Sequence, residues 1–209
     1  MLTWIFNRLL ALILLIFALP FILFSIIVVK LTTNDPVFFC QKRRGRSGKI
    51  FTIFKIRTMF LLAPANASKA ELAKREELVT PVGKFLRGMN FDELPQLMNI
   101  LLGQMNFVGP RPVPLSEEEV DWRRREKGIY QLKPGLTGLA AVVQKKGERE
   151  IIQAPQEQVE WDKAYLDNRS FWLDFKIIIA TACLECSLGN RWIFHHLNLE
   201  KLNAEYEEI

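Results

Sequence analysis

The 209-residue chain has room for one domain and an extra segment, and 49% of it is apolar, which excludes an intrinsically disordered chain. A formal charge of +5 suits an anionic partner, but charge alone does not separate nucleic acid, anionic lipid and nucleotide phosphate. Three cysteines, an odd count without a framework spacing, exclude a disulfide-stapled fold and point to a reducing compartment.

Residues 9–29, LLALILLIFALPFILFSIIVV, carry no charge and are about long enough to cross a bilayer core. At roughly −0.3 to −0.6 kcal/mol per Leu, Ile, Phe or Val, the segment partitions into lipid. A signal peptide is rejected because the apolar core is too long and no small-x-small cleavage site follows it. Pro20 removes a backbone donor and clashes one turn back, so a kink is expected there. Arg8 precedes the segment, and Lys30, Lys42, Arg43, Arg44, Arg46 and Lys49 follow it, which puts the domain behind it in the cytoplasm. A straight span would send the N-terminus outside; a helix broken at Pro20 would enter and leave the same leaflet. On residues alone the ordinary span is preferred, because spanning helices tolerate proline.

The β-rich runs PVFFCQ and KIFTIFKI, joined by KRRGRSG, predict a hairpin with a cationic tip, and Lys55 and Arg57 alternate onto one face of its second strand. Residues 69–77 read as a short polar helix to which no role is assigned. Thr80 and Pro81 are a cap and a first helical residue. In NFDELPQLMNILLGQMNFVGPRP, Asp92 is expected at an N-cap with Pro95 in the first turn. Leu94, Leu97, Met98 and Leu101 form an apolar stripe of a helix ending near Gly103. VGPRPVP is too proline-rich for regular structure.

Ser116 is expected to cap a charged helix with Glu117, Glu118 and Glu119 in its first turn. KPGLTG is a proline-glycine turn, and EQVEWDKAYLDN and SFWLDFKIIIATACLECSLG predict two more helices, the second capped by Ser170 and ended by Gly189. That last helix is either a core helix or one lying on a membrane interface, and Asp174, Lys176 and Glu185 argue against a second span. Cys183 and Cys186 have CxxC spacing ahead of His195 and His196. They lie in an apolar helical run with no second ligand pair, so buried inert thiols are preferred to zinc.

Adjacent acids before a helix are most often caps. Three features favour chemistry instead: a helix N-terminus suits phosphate, Arg111 is held between prolines, and Lys55 and Arg57 add cations. Carboxylates beside several cations suit metal-dependent phosphoryl transfer.

FFCQKRRGRSGKIFTIFKIRTM, TPVGKFLRGMNFDELPQLMNILLGQMNFVGPRP and KPGLTG together resemble the small monotopic phosphoglycosyl transferases of bacteria, in order from the apolar segment to about Ser187, with no large extra domain expected at either end. The resemblance implies transfer of a sugar phosphate from a UDP-sugar to a polyprenyl (undecaprenyl) phosphate, with release of UMP and a need for Mg²⁺, as the first membrane step of glycoconjugate assembly. It implies that Asp92 attacks the β-phosphorus, that Glu93 is the metal-associated partner, and that Arg87 lies near lipid head groups. Lys55, Arg57, Arg111, Pro112, Lys133, Thr137 and Asp162 are the implied substrate-binding positions, with Asp162 open between substrate and an ion pair. The implied fold is mainly α with a short β-hairpin and interfacial amphipathic helices. Residues 1–30 form a re-entrant helix broken at Pro20, reversing the preference for a span, and residues 31–209 form the catalytic domain. The implied location is the cytoplasmic face of the bacterial inner membrane, on phospholipid, and a homodimer is admitted.

Two departures stand out: Gln104 where the family usually has aspartate, and Leu139, Ala140 and Ala141 after KPGLTG where many members have tryptophan, alanine and glutamine. The competing reading is a membrane-anchored basic scaffold without catalysis. A polyprenyl-lipid hydrolase would require a water site rather than a carboxylate nucleophile. Nucleic-acid binding is set aside because the chain has no aromatic-basic interleaving or groove-reading motif.

Overall fold

Helix α1 occupies Leu2–Thr32 and runs continuously through Pro20. The structure, a computed structural model, describes residues 2–61, 76–146 and 155–185. These fall into two units: Met1–Arg44, Lys49–Met105 and Pro114–Glu117 make the first, and Gly45–Gly48, Asn106–Val113 and Glu118–Ile209 the second. Thus α1 shares a unit with the strands and with Asp92, rather than forming a unit of its own. Most of the polar helix expected at 69–77, together with Cys186, Gly189, His195 and His196, lies outside the described residues.

In the first unit, α1 buries one face. Ala11, Ala18, Ile22, Ser25 and Val29 recur at helical spacing and are buried, while Phe17, Leu23, Phe24 and Ile27 are exposed. The buried face is held near both ends. Arg8 Nη2 donates to the Leu102 carbonyl at 3.3 Å, and Val29 packs with Ile56 and Leu86. Between them the Phe21 ring lies 5.1 Å from that of Phe91. Ile5–Thr32 is long and apolar enough to cross a membrane.

Strands β1 (Phe38–Arg44) and β2 (Ile50–Ile56) pair antiparallel, with Phe38 opposite Ile56 and Arg44 opposite Ile50. Lys42, Arg43 and Arg44 are therefore in the ladder and not in the loop expected for them. The turn is only the five residues 45–49, where Ser47 and Gly48 take positive φ. Helix α2 (Pro81–Gly88) starts as expected, with the Thr80 hydroxyl accepting from Gly83 N at 2.9 Å. Helix α3 is short, Gln96–Leu101, and ends at Gly103 with φ 76°. Its buried face is not the expected stripe. Met98 is exposed, whereas Gln96 and Asn99 are buried with Leu97 and Ile100. Asn99 earns its place by standing in for a strand: its Oδ1 accepts from Phe54 N at 3.2 Å and its Nδ2 donates to Thr52 O at 2.7 Å.

In the second unit, β3 (Asn106–Val108) pairs parallel with β5 (Gly135–Thr137). The two-residue strand β4 (Val113–Pro114) and helix α4 (Glu118–Glu126) lie between them in the chain. Helix α4 begins two residues beyond the expected Ser116 cap, so Glu118, Glu119 and Asp121 are its first-turn acids. Helices α5 (Leu139–Lys146), α6 (Pro155–Asp167) and α7 (Phe171–Glu185) complete the unit. The Ser170 hydroxyl accepts from Leu173 N at 3.1 Å, the expected cap of α7. One face of α7 buries Leu173, Ile177 and Ala180 in a core with Val108, Leu139 and Val142; the other exposes Phe171, Trp172, Phe175 and Ile178.

Candidate active site

The Asp92 turn is shaped by what stops the helices on either side of it. Asn90 adopts φ 54°, which ends the run of α2, and Phe91–Glu93 forms a single 3₁₀ turn. Pro95 precedes α3 as its cap residue, so the helix begins only at Gln96. Asp92 is therefore not the N-cap. Both acids sit on a tight turn ahead of a six-residue helix too short to supply much of a dipole.

The turn sends the two carboxylates into different surroundings. Glu93 Oε1 accepts from Lys55 Nζ at 2.5 Å. Asp92 is 7% exposed, more withdrawn from water than Glu93, whose side chain is 29% exposed. Burial pushes its carboxyl up to about 6; Lys55 and Arg87 pull it down, and the Glu93 charge pushes it up. Lys55→Met removes the stronger of the two cationic influences. The acid limb of the pH–rate profile should then move to higher pH, and kcat/KM at pH 6 should fall roughly fivefold to tenfold. A limb that stays in place in that variant would show that Asp92 does not govern it.

Of the two cations expected beside the pair, Lys55 is one of the charges that act on Asp92. Arg57 directly follows β2, and its N donates to Val37 O at 2.7 Å. Its Nε donates to the Pro36 carbonyl at 2.7 Å, its Nη2 to that of Phe38 at 3.4 Å, and it lies over the Phe39 ring. The second cation acting on Asp92 is Arg87, fixed by an Nε hydrogen bond of 2.8 Å to the Thr58 hydroxyl. Gln104 has a structural contact, its Oε1 accepting from Asn99 Nδ2 at 2.7 Å.

In the second unit the GPRP and KPGLTG motifs come together. Gly109 N donates to Thr137 O and Gly135 N to Pro110 O, both at 2.9 Å. Only glycines allow this approach: a Cβ on Gly109 would meet Lys133 O at 2.5 Å, and one on Gly138 would meet Gly109 O at 2.2 Å. Pro112 is buried, whereas Arg111 is exposed and its guanidinium makes no ion pair or hydrogen bond among the described residues. Lys133 is half-buried on the same segment.

Thr137 is turned inward. Its hydroxyl lies 2.7 Å from that of Thr181, which itself donates to Ile177 O, so Thr137 is the donor of the pair. Asp162 is buried and accepts from Arg124 Nη2, while Arg124 Nη1 donates to the Arg111 carbonyl at 2.6 Å. Burial raises the Asp162 carboxyl against the lowering pull of Arg124. The ion pair is thus the alternative that the structure fills for Asp162. Arg124 was not singled out from its sequence, where it is the middle of three arginines; the sole hint is its position one turn after the buried Val120. Leu139 and Ala140, two of the departures, are buried core residues.

Among the described residues no three His, Cys, Asp or Glu side chains gather as a metal set. Asp92 and Glu93 offer carboxylate oxygens of the kind Mg²⁺ takes, and such an ion commonly completes its shell with substrate phosphate and water. Cys183 is a free thiol on α7.

A family model described as bacterial sugar transferase matches residues 1–186. The chain is 40% identical over 166 residues to the UDP-glucose:undecaprenyl-phosphate glucose-1-phosphate transferase of Klebsiella pneumoniae, covering 78% of this chain and 35% of that protein. It is 39% identical over 160 residues to an uncharacterized sugar transferase of Bacillus subtilis, covering 77% and 75%. It is 35% identical over 167 residues to the UDP-N-acetylgalactosamine-undecaprenyl-phosphate N-acetylgalactosaminephosphotransferase of Aeromonas hydrophila, covering 78% and 38%. The chain thus spans about a third of the length of the Klebsiella and Aeromonas relatives, and most of the Bacillus one. The match takes in α1, the hairpin, the Asp92–Glu93 turn and both glycine-dependent loops, and by it the chain belongs to the bacterial sugar transferase family.

Proposed function

We propose that the chain is a phosphoglycosyl transferase that moves a sugar 1-phosphate from a UDP-sugar to undecaprenyl phosphate, releasing UMP, at the first membrane step of glycoconjugate assembly. The observation that carries this reading is the asymmetry of the acidic pair: Glu93 is matched by Lys55, and Asp92 is left as a desolvated carboxylate. Relatives of similar identity bear names for glucose and for N-acetylgalactosamine, so the donor is proposed as a class, the UDP-sugars.

Asp92 is the nucleophile. A carboxylate oxygen bonds to the β-phosphorus, the bond from that phosphorus to the bridging oxygen breaks, and UMP departs with the electron pair. A phosphate oxygen of the lipid acceptor then displaces Asp92 from the same phosphorus, giving the polyprenyl diphosphosugar and restoring the carboxylate. Neither displacement needs a net proton from the protein. With its carboxyl near 6, Asp92 is mostly ionised at neutral pH, and burial has already removed much of its hydration. Arg111 offers a planar fork to the nucleotide phosphate, and Arg87 and Lys55 balance charge at the turn. Bound Mg²⁺ would be held by Glu93 and Asp92 and would supply charge neutralisation at the diphosphate.

The site works at head-group depth on the cytoplasmic leaflet, because a polyprenyl tail stays in lipid while the UDP-sugar arrives from water. A re-entrant placement of α1 is supported by its contacts. Arg8 and Val29 lie near opposite ends of α1, yet Arg8 bonds to Leu102 and Val29 packs on Ile56 and Leu86 of the same unit, which a span projecting away from the strands and α3 would not allow. The exposed Phe171, Trp172 and Phe175 on α7 are residue types favoured at an interface.

The test uses purified protein in detergent or nanodiscs, a panel of UDP-sugars and undecaprenyl phosphate. UMP is expected as a burst of about one per protein without acceptor, and catalytically with it. Release of UDP would mean ordinary glycosyl transfer. No nucleotide released from any donor would favour the scaffold.

A further inference from the structure

We propose that the buried Arg124–Asp162 pair is a positioning device for Arg111, fixing the main chain of the GPRP loop so that the exposed guanidinium is presented to a nucleotide phosphate. The proposal rests on the assignment of Arg111 to the nucleotide made above.

Arg124 is 2% exposed on α4, and its two terminal nitrogens are divided between Asp162 on α6 and the Arg111 carbonyl. Its Nε is buried with no hydrogen-bond partner among the described residues. A pair of this kind is a poor way to stabilise a core. Both charges lose their hydration, one donor is left unsatisfied, and apolar residues of similar volume generally serve as well or better. What apolar residues cannot do is hold a carbonyl oxygen.

The loop has few other handles. Pro110 and Pro112 have no N–H to be gripped. Gly109 N and Pro110 O are already bound to Thr137 and Gly135. Val113, which follows the loop, is anchored in a cluster with Val120, Ile129 and Val159 from the helices and turn that surround the pair. The proline after Arg111 restricts it to extended backbone, and a hydrogen bond to its carbonyl narrows ψ further. With that torsion set, the direction in which the side chain leaves the backbone is also set. A planar donor fork needs this, since its bidentate contacts fail with a small rotation.

UMP affinity, measured by titration calorimetry on the full chain in detergent, tests the idea independently of turnover. The double variant Arg124→Met/Asp162→Leu removes the grip without stranding a buried charge. It is expected to keep the wild-type unfolding temperature and to bind UMP about tenfold more weakly, as Arg111→Ala does. Combining it with Arg111→Ala should weaken binding no further, because both act through one contact. If the double variant does not fold, Arg124→Lys retains a charge for Asp162 but cannot bridge carboxylate and carbonyl, and the same loss is expected. Asp162→Asn keeps an acceptor for Arg124 and should stay within about threefold of wild type. Wild-type UMP affinity in a folded Arg124 variant overturns the positioning role, as do losses that simply add to that of Arg111→Ala. If Arg111→Ala itself binds UMP normally, the nucleotide assignment falls and the positioning role falls with it.

Discussion

Asp92→Asn is expected to abolish turnover, by at least roughly 10³-fold, and at the same time to make the protein harder to unfold at neutral pH. On the proposed mechanism the first effect follows from loss of the nucleophile, since a carboxamide does not form the phosphosugar acyl phosphate. The second follows from burial. The Asp92 carboxyl is raised from 3.8 to about 6 in the folded chain, so the folded state binds its proton more tightly than the unfolded state does. Stability from this group therefore falls as the pH rises from about 4 through about 6, and at neutral pH the ionised, buried carboxylate is a net liability. Removing its charge should recover up to about 3 kcal/mol, the equivalent of that shift. Wild type and variant should accordingly unfold at different temperatures at pH 7.5 and converge near pH 4. Equal stability at both pH values would mean that the carboxylate is not strained by burial. Appreciable UMP release by the variant would remove Asp92 as nucleophile.

Gly135→Ala should be among the most damaging single-methyl changes available to the chain. The added Cβ would lie 2.1 Å from Gly109 N and 2.3 Å from Thr137 O, both backbone atoms with no rotamer to change. The β3–β5 pairing would have to separate, taking the GPRP loop with it, at an expected cost of about 3 kcal/mol or more. Gly88→Ala is the control. It closes α2, its Cβ would meet nothing within 4 Å, and it should be neutral or stabilising by up to about 1 kcal/mol. Thermal unfolding and limited proteolysis of the two variants side by side would decide the matter. A Gly135→Ala protein with wild-type unfolding would show that the close approach at Gly109 does not exist in solution.

What the sequence made legible was what its own neighbours decide. The apolar run of α1, the hairpin, and the Thr80 and Ser170 caps each depend on residues a few places apart, and each was found where expected. What it hid depends on distant partners. Asn99 reads as the polar side of an amphipathic helix until β2 supplies two unpaired backbone groups for it. Arg124 reads as one of three solvated arginines until a carboxylate 38 residues away meets it. Arg57 was placed by its strand, but its guanidinium goes to the carbonyls of Pro36 and Phe38, which strand periodicity does not foretell. The acidic pair was read as chemistry, but its placement on a 3₁₀ turn came from Asn90 and Pro95 acting together, which neither residue announces alone.

Phe91 deserves a last consequence. Its ring rests on Phe21 of the apolar helix, and its peptide bond leads straight to Asp92. On the proposed function, the height at which that helix floats sets the height of the attacking oxygen. A lipid phosphate is likewise tethered at one level by its tail. Acyl-chain length in the surrounding bilayer then becomes a kinetic variable, because it shifts one tethered reactant against the other.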